Sequence, residues 1–196
     1  LTRYVVQGGI LVLTMRSGVK DMNNKCHIES ELPGKLTELT GAVITDYDCL
    51  RDQDIGIRYN GKDYRCRIWC DILKPVSAEC IGTYTDDCYR DEPAITVNHV
   101  GNGRVYYIGT EPGQKLIDDF LSDIVNAAGI ERIYDKPAEV EFVRRRTKDA
   151  DYIFALNHTD RPQTIAIAEN WKRLVNNENL EPFGYALFVA DRPDSP

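Results

Sequence analysis

The apolar positions open on an unbroken run. Leu1 to Gln7 reads as the last turns of a helix, Gly8-Gly9 as its stop, and Ile10-Leu11-Val12-Leu13-Thr14 as a buried strand. A continuous apolar run entered from a helix end marks a strand covered on both faces, as in a βαβ unit met in its middle. The pattern predicts an α/β domain whose first strands lie before residue 1, and with them any chemistry of a larger parent protein.

Further along, Arg16 to Glu31 is polar, contains Gly18 and Asn23-Asn24, and is expected to be a loop. Pro33-Gly34 introduces Lys35 to Thr40, where Leu36 and Leu39 stand three apart before Gly41, which predicts a short helix with a glycine stop. Val43 to Ile108 is strand-rich. Tyr64 to Cys70 partly alternates, Glu79 to Tyr84 is extended in character, and Ala94-Ile95-Thr96-Val97 runs through Gly101-Asn102-Gly103 into Arg104 to Ile108. The Asn102-Gly103 pair between β-rich runs predicts a hairpin, because both residues accept positive φ.

The clearest helix follows, with Leu116, Ile117, Phe120, Leu121, Ile124, Val125 and Ala128 on one face, Asp118, Asp119, Ser122 and Asp123 on the other, and Gly129 as its end. Such a helix must dock on a sheet. Beyond Tyr134-Asp135 only short strands are predicted, at Val140–Val143, Tyr152–Leu156, Thr164–Ile167 and Tyr185–Val189. The change from mixed to all-β pattern sets a boundary between a domain over 1–134 and a small antiparallel one over 135–196.

Composition narrows the function classes. With a formal net charge of −7 over 196 residues and a pI near 5.0, the chain lacks the concentrated Lys and Arg that a phosphate backbone demands, so no nucleic-acid partner is expected. The basic cluster Arg144-Arg145-Arg146 reads as a solvated strand. No apolar segment approaches the roughly 20 residues that span a bilayer, so no membrane partner is expected either. Six cysteines (Cys26, Cys49, Cys66, Cys70, Cys80, Cys88) sit in otherwise apolar stretches without the character of a disulfide scaffold. A regular strand would hold Cys66 and Cys70 about 13 Å apart, too far to bridge. All six are read as reduced core thiols, and the compartment as cytoplasmic.

No catalytic, cofactor-binding or metal-binding residue is expected from the motifs present. Cys26-His27 has no second ligand pair at short spacing, and Cys66-x-x-x-Cys70 is not a zinc-knuckle spacing. No Gly-x-Ser-x-Gly or Gly-x-Cys-x-Gly elbow occurs. Gly101-Asn102-Gly103 resembles a phosphate loop in part, but it leads into a strand rather than a helix N-terminus. Asn157-His158-Thr159 matches a glycosylation sequon, and His158 with Asp160 could form half a triad, yet the setting before Arg161-Pro162 reads as a hairpin turn. A catalytic (β/α)8 barrel needs about 200 to 250 residues and eight βα repeats, which are absent here.

Four segments together resemble the region that follows the catalytic barrel in bacterial β-galactosidases of glycoside hydrolase family 42. They are Tyr4 to Gly18 (YVVQGGILVLTMRSG), Pro33 to Gly41 (PGKLTELTG), Glu92 to Thr110 (EPAITVNHVGNGRVYYIGT) and Phe142 to Thr159 (FVRRRTKDADYIFALNHT). Their order and spacing carry the resemblance over nearly the whole chain. It implies a trimerisation domain of flavodoxin-like α/β fold, related to class I glutamine amidotransferases and truncated at its N-terminus, followed by a small all-β antiparallel sandwich. In a sheet ordered 2-1-3-4-5, Ile10 to Thr14 would be the fourth strand and Arg104 to Ile108 the fifth. The family's two barrel glutamates have no counterpart here, so the resemblance implies an assembly role, with the chain itself as homotrimer partner and the upstream barrel as its covalent one. A free-standing amidotransferase-like binding module is the competing expectation.

Overall fold

The computed structural model describes residues 1–28, 30–51, 53–130 and 139–192. It divides into two units, Leu1–Ile130 and Glu131–Pro196, and the boundary expected between 134 and 135 lies outside the described residues. No described helix is long and apolar enough to cross a membrane.

The first unit opens with α1 (Thr2–Val6) and β1 (Ile10–Thr14), as the apolar run predicts. A 3-10 turn (Gly34–Leu36) leads into α2 (Thr37–Thr40), which ends on Gly41. There follow β2 (Ala42–Cys49), β3 (Ile55–Tyr59), β4 (Lys62–Pro75), β5 (Glu79–Tyr84), β6 (Pro93–Val100), β7 (Gly103–Ile108), β8 (Thr110–Pro112) and α3 (Gln114–Ala127). They form one sheet in the order β1-β7-β6-β5-β3-β4-β2, with β8 on β4. The expected neighbours Ile10–Thr14 and Arg104–Ile108 do pair in parallel, Ile10 opposite Arg104. The remaining described ladders of this sheet are antiparallel, so it is mixed rather than wound from repeated βα units.

β1 is apolar on both faces for a visible reason. Ile10 and Val12 pack on a core that includes Tyr84, Ile95, Tyr106 and Phe120, while Leu11 and Leu13 pack on the opposite side with Val5, Leu39 and Val105. The close seat of α1 on the β6–β7 hairpin demands Gly103, where a Cβ would stand 2.0 Å from the Val5 carbonyl oxygen and 2.3 Å from that of Gly9. The hairpin forms, but its turn differs from expectation. Val100 pairs with Gly103, so the loop is Gly101-Asn102, and positive φ falls on Gly101 (60°) instead of Asn102-Gly103. The Asn-Gly turn with both residues at positive φ is Asn60-Gly61 (48° and 73°) between β3 and β4.

β4 is the irregular member. Cys66 and Cys70, four apart on β4, stand opposite Pro112 and Thr110, two apart on β8. The excess is absorbed near Ile68, whose φ of 66° is in the left-handed region. This bulge corrects the 13 Å expectation, because the two cysteines face residues only two apart on the neighbouring strand. Only these two cysteines are buried; Cys26, Cys49, Cys80 and Cys88 are exposed, which corrects their reading as core thiols.

The second unit has a four-stranded antiparallel sheet, β12-β14-β10-β9, and a two-stranded one, β11-β13. Its strands are β9 (Val140–Arg146), β10 (Ala150–Asn157), β11 (Gln163–Thr164), β12 (Lys172–Val175), β13 (Asn179–Leu180) and β14 (Tyr185–Asp191). Val140, Ala155, Ala186 and Phe188 from the larger sheet pack with Ile165 and Leu180, which gives the small unit its core. The expected strand over Thr164–Ile167 is reduced to Gln163–Thr164, and β12 and β13 were not legible in the pattern.

Candidate functional site

A buried carboxylate organises the middle of the first unit. Asp71 on β4 is 1% exposed. Its Oδ1 accepts from Trp69 Nε1 at 2.7 Å, and its Oδ2 accepts from Tyr107 Oη at 2.8 Å and from the Arg16 backbone N–H at 3.2 Å. Its carbonyl accepts from Tyr84 Oη at 3.0 Å. Burial, then the Asp71 charge, push the Tyr107 hydroxyl well above its ordinary value, so it remains a donor. Arg16 lies 4.7 Å over the Trp69 ring, and Tyr47 stacks on that ring at 4.9 Å. Trp69 donates from β4 itself, while the donors from Arg16, Tyr84 and Tyr107 each fix a different segment to that strand. The arrangement ties the turn after β1 and strand β7 to β4, and it leaves the carboxylate engaged rather than poised for proton transfer.

Two further carboxylates stand one turn apart on α3. Tyr59 Oη and Asn60 Nδ2 donate to Asp123 Oδ2 at 2.9 and 2.8 Å, and Tyr64 Oη and Lys62 Nζ donate to Asp119 Oδ2 at 2.6 and 3.0 Å. Burial, then the bond to Asp119, raise the Tyr64 hydroxyl to about 12, while Tyr64 and Lys62 hold the Asp119 carboxyl below the usual carboxylate range. The polar face of α3 therefore clasps the β3–β4 hairpin. Beside this clasp an open hollow of about 330 Å³ is lined by Tyr59, Asn60, His99, Arg104 and Tyr106 among others. It carries aromatic, basic and amide groups but no pair of free carboxylates.

In the second unit the sequon residue Asn157 is 3% exposed. Its Nδ2 donates to the carbonyls of Arg161 and Glu181 at 2.7 and 2.9 Å, and its Oδ1 accepts from the Thr159 backbone N–H and Oγ1. It is a turn residue, as the setting before Arg161-Pro162 predicts. His158 pairs with Glu141 at 2.7 Å, and Asp160 lies 3.9 Å from Arg161, so the half-triad is not assembled. Arg144 and Arg146 both pair with Asp151, which is 6% exposed, so the arginine cluster is in part structural, a correction to its reading as a solvated strand. Among the described residues no group of three or more His, Cys, Asp or Glu is placed to hold a metal ion.

Comparison with known proteins divides the chain in the same order. The β-galactosidase trimerisation domain profile matches residues 1–131, and the β-galactosidase C-terminal domain profile matches 139–190. The β-galactosidase BgaA of Clostridium cellulovorans is 36% identical over 191 residues, 94% of this chain and 29% of that protein. BgaH of Haloferax lucentense is 34% identical, over 95% of this chain and 28% of its own length. Among solved structures, the β-galactosidase of Rahnella sp. R3 superposes with a TM-score of 0.88 at 26% identity, covering 97% of this chain and 30% of that one. The β-galactosidase of Bacillus circulans sp. alkalophilus, at 23% identity and a TM-score of 0.89, shares the fold. The chain thus spans somewhat under a third of the length of the relatives it matches.

Proposed function

This chain belongs to the family 42 β-galactosidases, as their trimerisation domain followed by their C-terminal domain, and from that membership we propose that it serves as the non-catalytic assembly region of an enzyme that hydrolyses terminal β-D-galactosides. The observation that carries the reading is the match of both domain profiles in the family's order. In this reading three copies associate through the first unit. A catalytic barrel upstream in the same polypeptide supplies the acid/base and nucleophile that split a glycosidic bond.

The engagement of Asp71, Asp119 and Asp123 in structural hydrogen bonds fits a structural role for these three carboxylates. The parallel β1–β7 pair at one end of the sheet is consistent with a flavodoxin-like first domain over 1–134 that further strands complete, with a sandwich over 135–196. Free thiols and an acidic, nucleic-acid-averse surface are consistent with a cytoplasmic enzyme without nucleic-acid or membrane partners. The free-standing amidotransferase-like module gains no support, since both segments match β-galactosidase profiles.

Two measurements test the proposal. Light scattering on the whole protein is expected to give three times the protomer mass, and a stable monomer with full activity would overturn the assembly role. The chain over 1–196 alone is expected to show no turnover of a chromogenic galactoside. Turnover that vanished on replacing one of its own acidic residues would make it catalytic.

A further inference from the structure

A feature of β4 lies outside the assembly reading. Cys66 and Cys70 are both wholly buried in the main core, and they are brought together by the two residues by which β4 exceeds β8. Facing residues two apart instead of four, they stand about 7 Å apart along the strand, against about 13 Å in a regular one. Disulfide-linked Cα atoms usually lie within about 7 Å. The required tightening is small, and its location is marked. Ile68 between them holds a left-handed φ of 66°, which a β-branched residue adopts only under constraint, and it is 53% exposed, with no core packing to resist movement.

The surroundings distinguish the two sulfurs. Cys66 Sγ donates to the Ile55 carbonyl at 3.3 Å, and Cys70 Sγ lies 4.0 Å from Thr110 Oγ1. Thr110 gives its own proton to the Trp69 carbonyl at 2.6 Å. The neighbouring Cys66, set against burial, holds the Cys70 thiol below its ordinary value, while Cys70 and then burial raise that of Cys66. One sulfur is prepared as nucleophile, the other as a protonated neighbour.

We propose that Cys66 and Cys70 form a hydroperoxide-sensitive dithiol that closes to an intrastrand disulfide. The Cys70 sulfur attacks the peroxide, the O–O bond breaks, and one oxygen stays as Cys70 sulfenic acid while the other leaves as water or an alcohol. Cys66 then displaces the sulfenic oxygen as a second water, forming the S–S bond. Together the sulfurs lose two electrons, the peroxide gains two, and the two thiol protons leave in the products. Because both groups are buried, the reaction runs through local opening of the bulge.

Differential labelling of the purified whole protein tests this. Cys26, Cys49, Cys80 and Cys88 are exposed and can be blocked with N-ethylmaleimide under native conditions. Hydrogen peroxide is then applied and removed, and the denatured protein is treated with isotopically heavy maleimide without reductant. Trypsin cuts after Arg67, between the two cysteines, so the disulfide appears as two peptides, beginning at Cys66 and Ile68, that part only on reduction. Heavy label on both cysteines after peroxide, or Cys70 oxidised to sulfinic acid with Cys66 still free, would overturn the proposal. In Cys66→Ser, dimedone is expected to trap a sulfenic acid at Cys70, and in Cys70→Ser none at Cys66. The reverse pattern would overturn the division of roles, and the wild-type peptide map stays decisive if either variant fails to fold.

Discussion

Asp71 concentrates the consequences of single residues. Three side-chain or backbone donors converge on its buried carboxylate, so Asp71→Ala would leave Tyr107 Oη, Trp69 Nε1 and the Arg16 N–H without an acceptor. An unmatched buried donor costs about 1 to 3 kcal/mol. Allowing for relaxation, the variant is expected to lose roughly 2 to 4 kcal/mol, read from the denaturant midpoint. Tyr107→Phe removes one donor and leaves the carboxylate two others, so its loss should be about 1 kcal/mol. A brief pulse of thiol reagent on the native protein is expected to label four cysteines quickly, with Cys66 and Cys70 reacting only slowly through local opening; six equally fast thiols in the native state would contradict their burial. None of these roles was legible from residue type. Asp71 sits in an alternating stretch that gives no sign of three donors from sequence positions as distant as Arg16 and Tyr107. The closeness of Cys66 and Cys70 depends on one backbone angle at Ile68 that the sequence does not announce.

Helix α3 and the β3–β4 hairpin behave as one clasped element. The Asp119 carboxyl is held below its ordinary value of 3.8 by Tyr64 and Lys62, so in the folded state it stays ionised at acidities where the unfolded chain takes up a proton. Its contribution to stability is therefore fully present above the unfolded value and is lost as pH falls through the lower, folded one. Tyr64→Phe is expected to flatten the acid side of the stability curve, measured by urea unfolding from neutral pH to below the carboxylate range. An unchanged slope would show that the clasp adds nothing. At the hairpin tip, Gly61 has φ of 73° and open space where a Cβ would lie, so Gly61→Ala meets only backbone strain, about 1 kcal/mol. The pattern made α1, β1, α2 and α3 legible because each has a clean period or a glycine stop. It failed where periodicity itself fails. β4 crosses a bulge, β12 is an exposed Lys-Arg-Leu-Val strand with no alternation, and β13 is two residues long. The family resemblance, carried by several spaced segments, survived such local misreadings.

At the scale of the first unit, β1 stands out as a strand with interior character at the end of its sheet. It is half-buried and apolar on both faces, from Ile10 through Leu13, yet among the described residues it has a ladder on one side only, to β7. An edge strand in a parallel ladder turns alternate N–H and C=O groups away from its neighbour, and an apolar setting on both faces is a poor place to leave them unpaired. The sheets that natural proteins leave open at an edge are usually short, charged or bulged there, and Ile-Leu-Val-Leu is none of these. Coverage of that edge in the assembled protein is thus expected, whether from the same polypeptide or from another copy. Hydrogen exchange over Ile10–Thr14 checks it. The outward amides should exchange by local opening in the chain over 1–196 alone, while β6 and β7 stay protected, and they should gain protection in the whole assembled protein. Gain that grows with protein concentration would assign the cover to another copy, and gain independent of concentration to the same polypeptide. Strong protection throughout β1 in a chain shown to be alone and monomeric would contradict the expectation, and the edge would then be one that the fold tolerates uncovered.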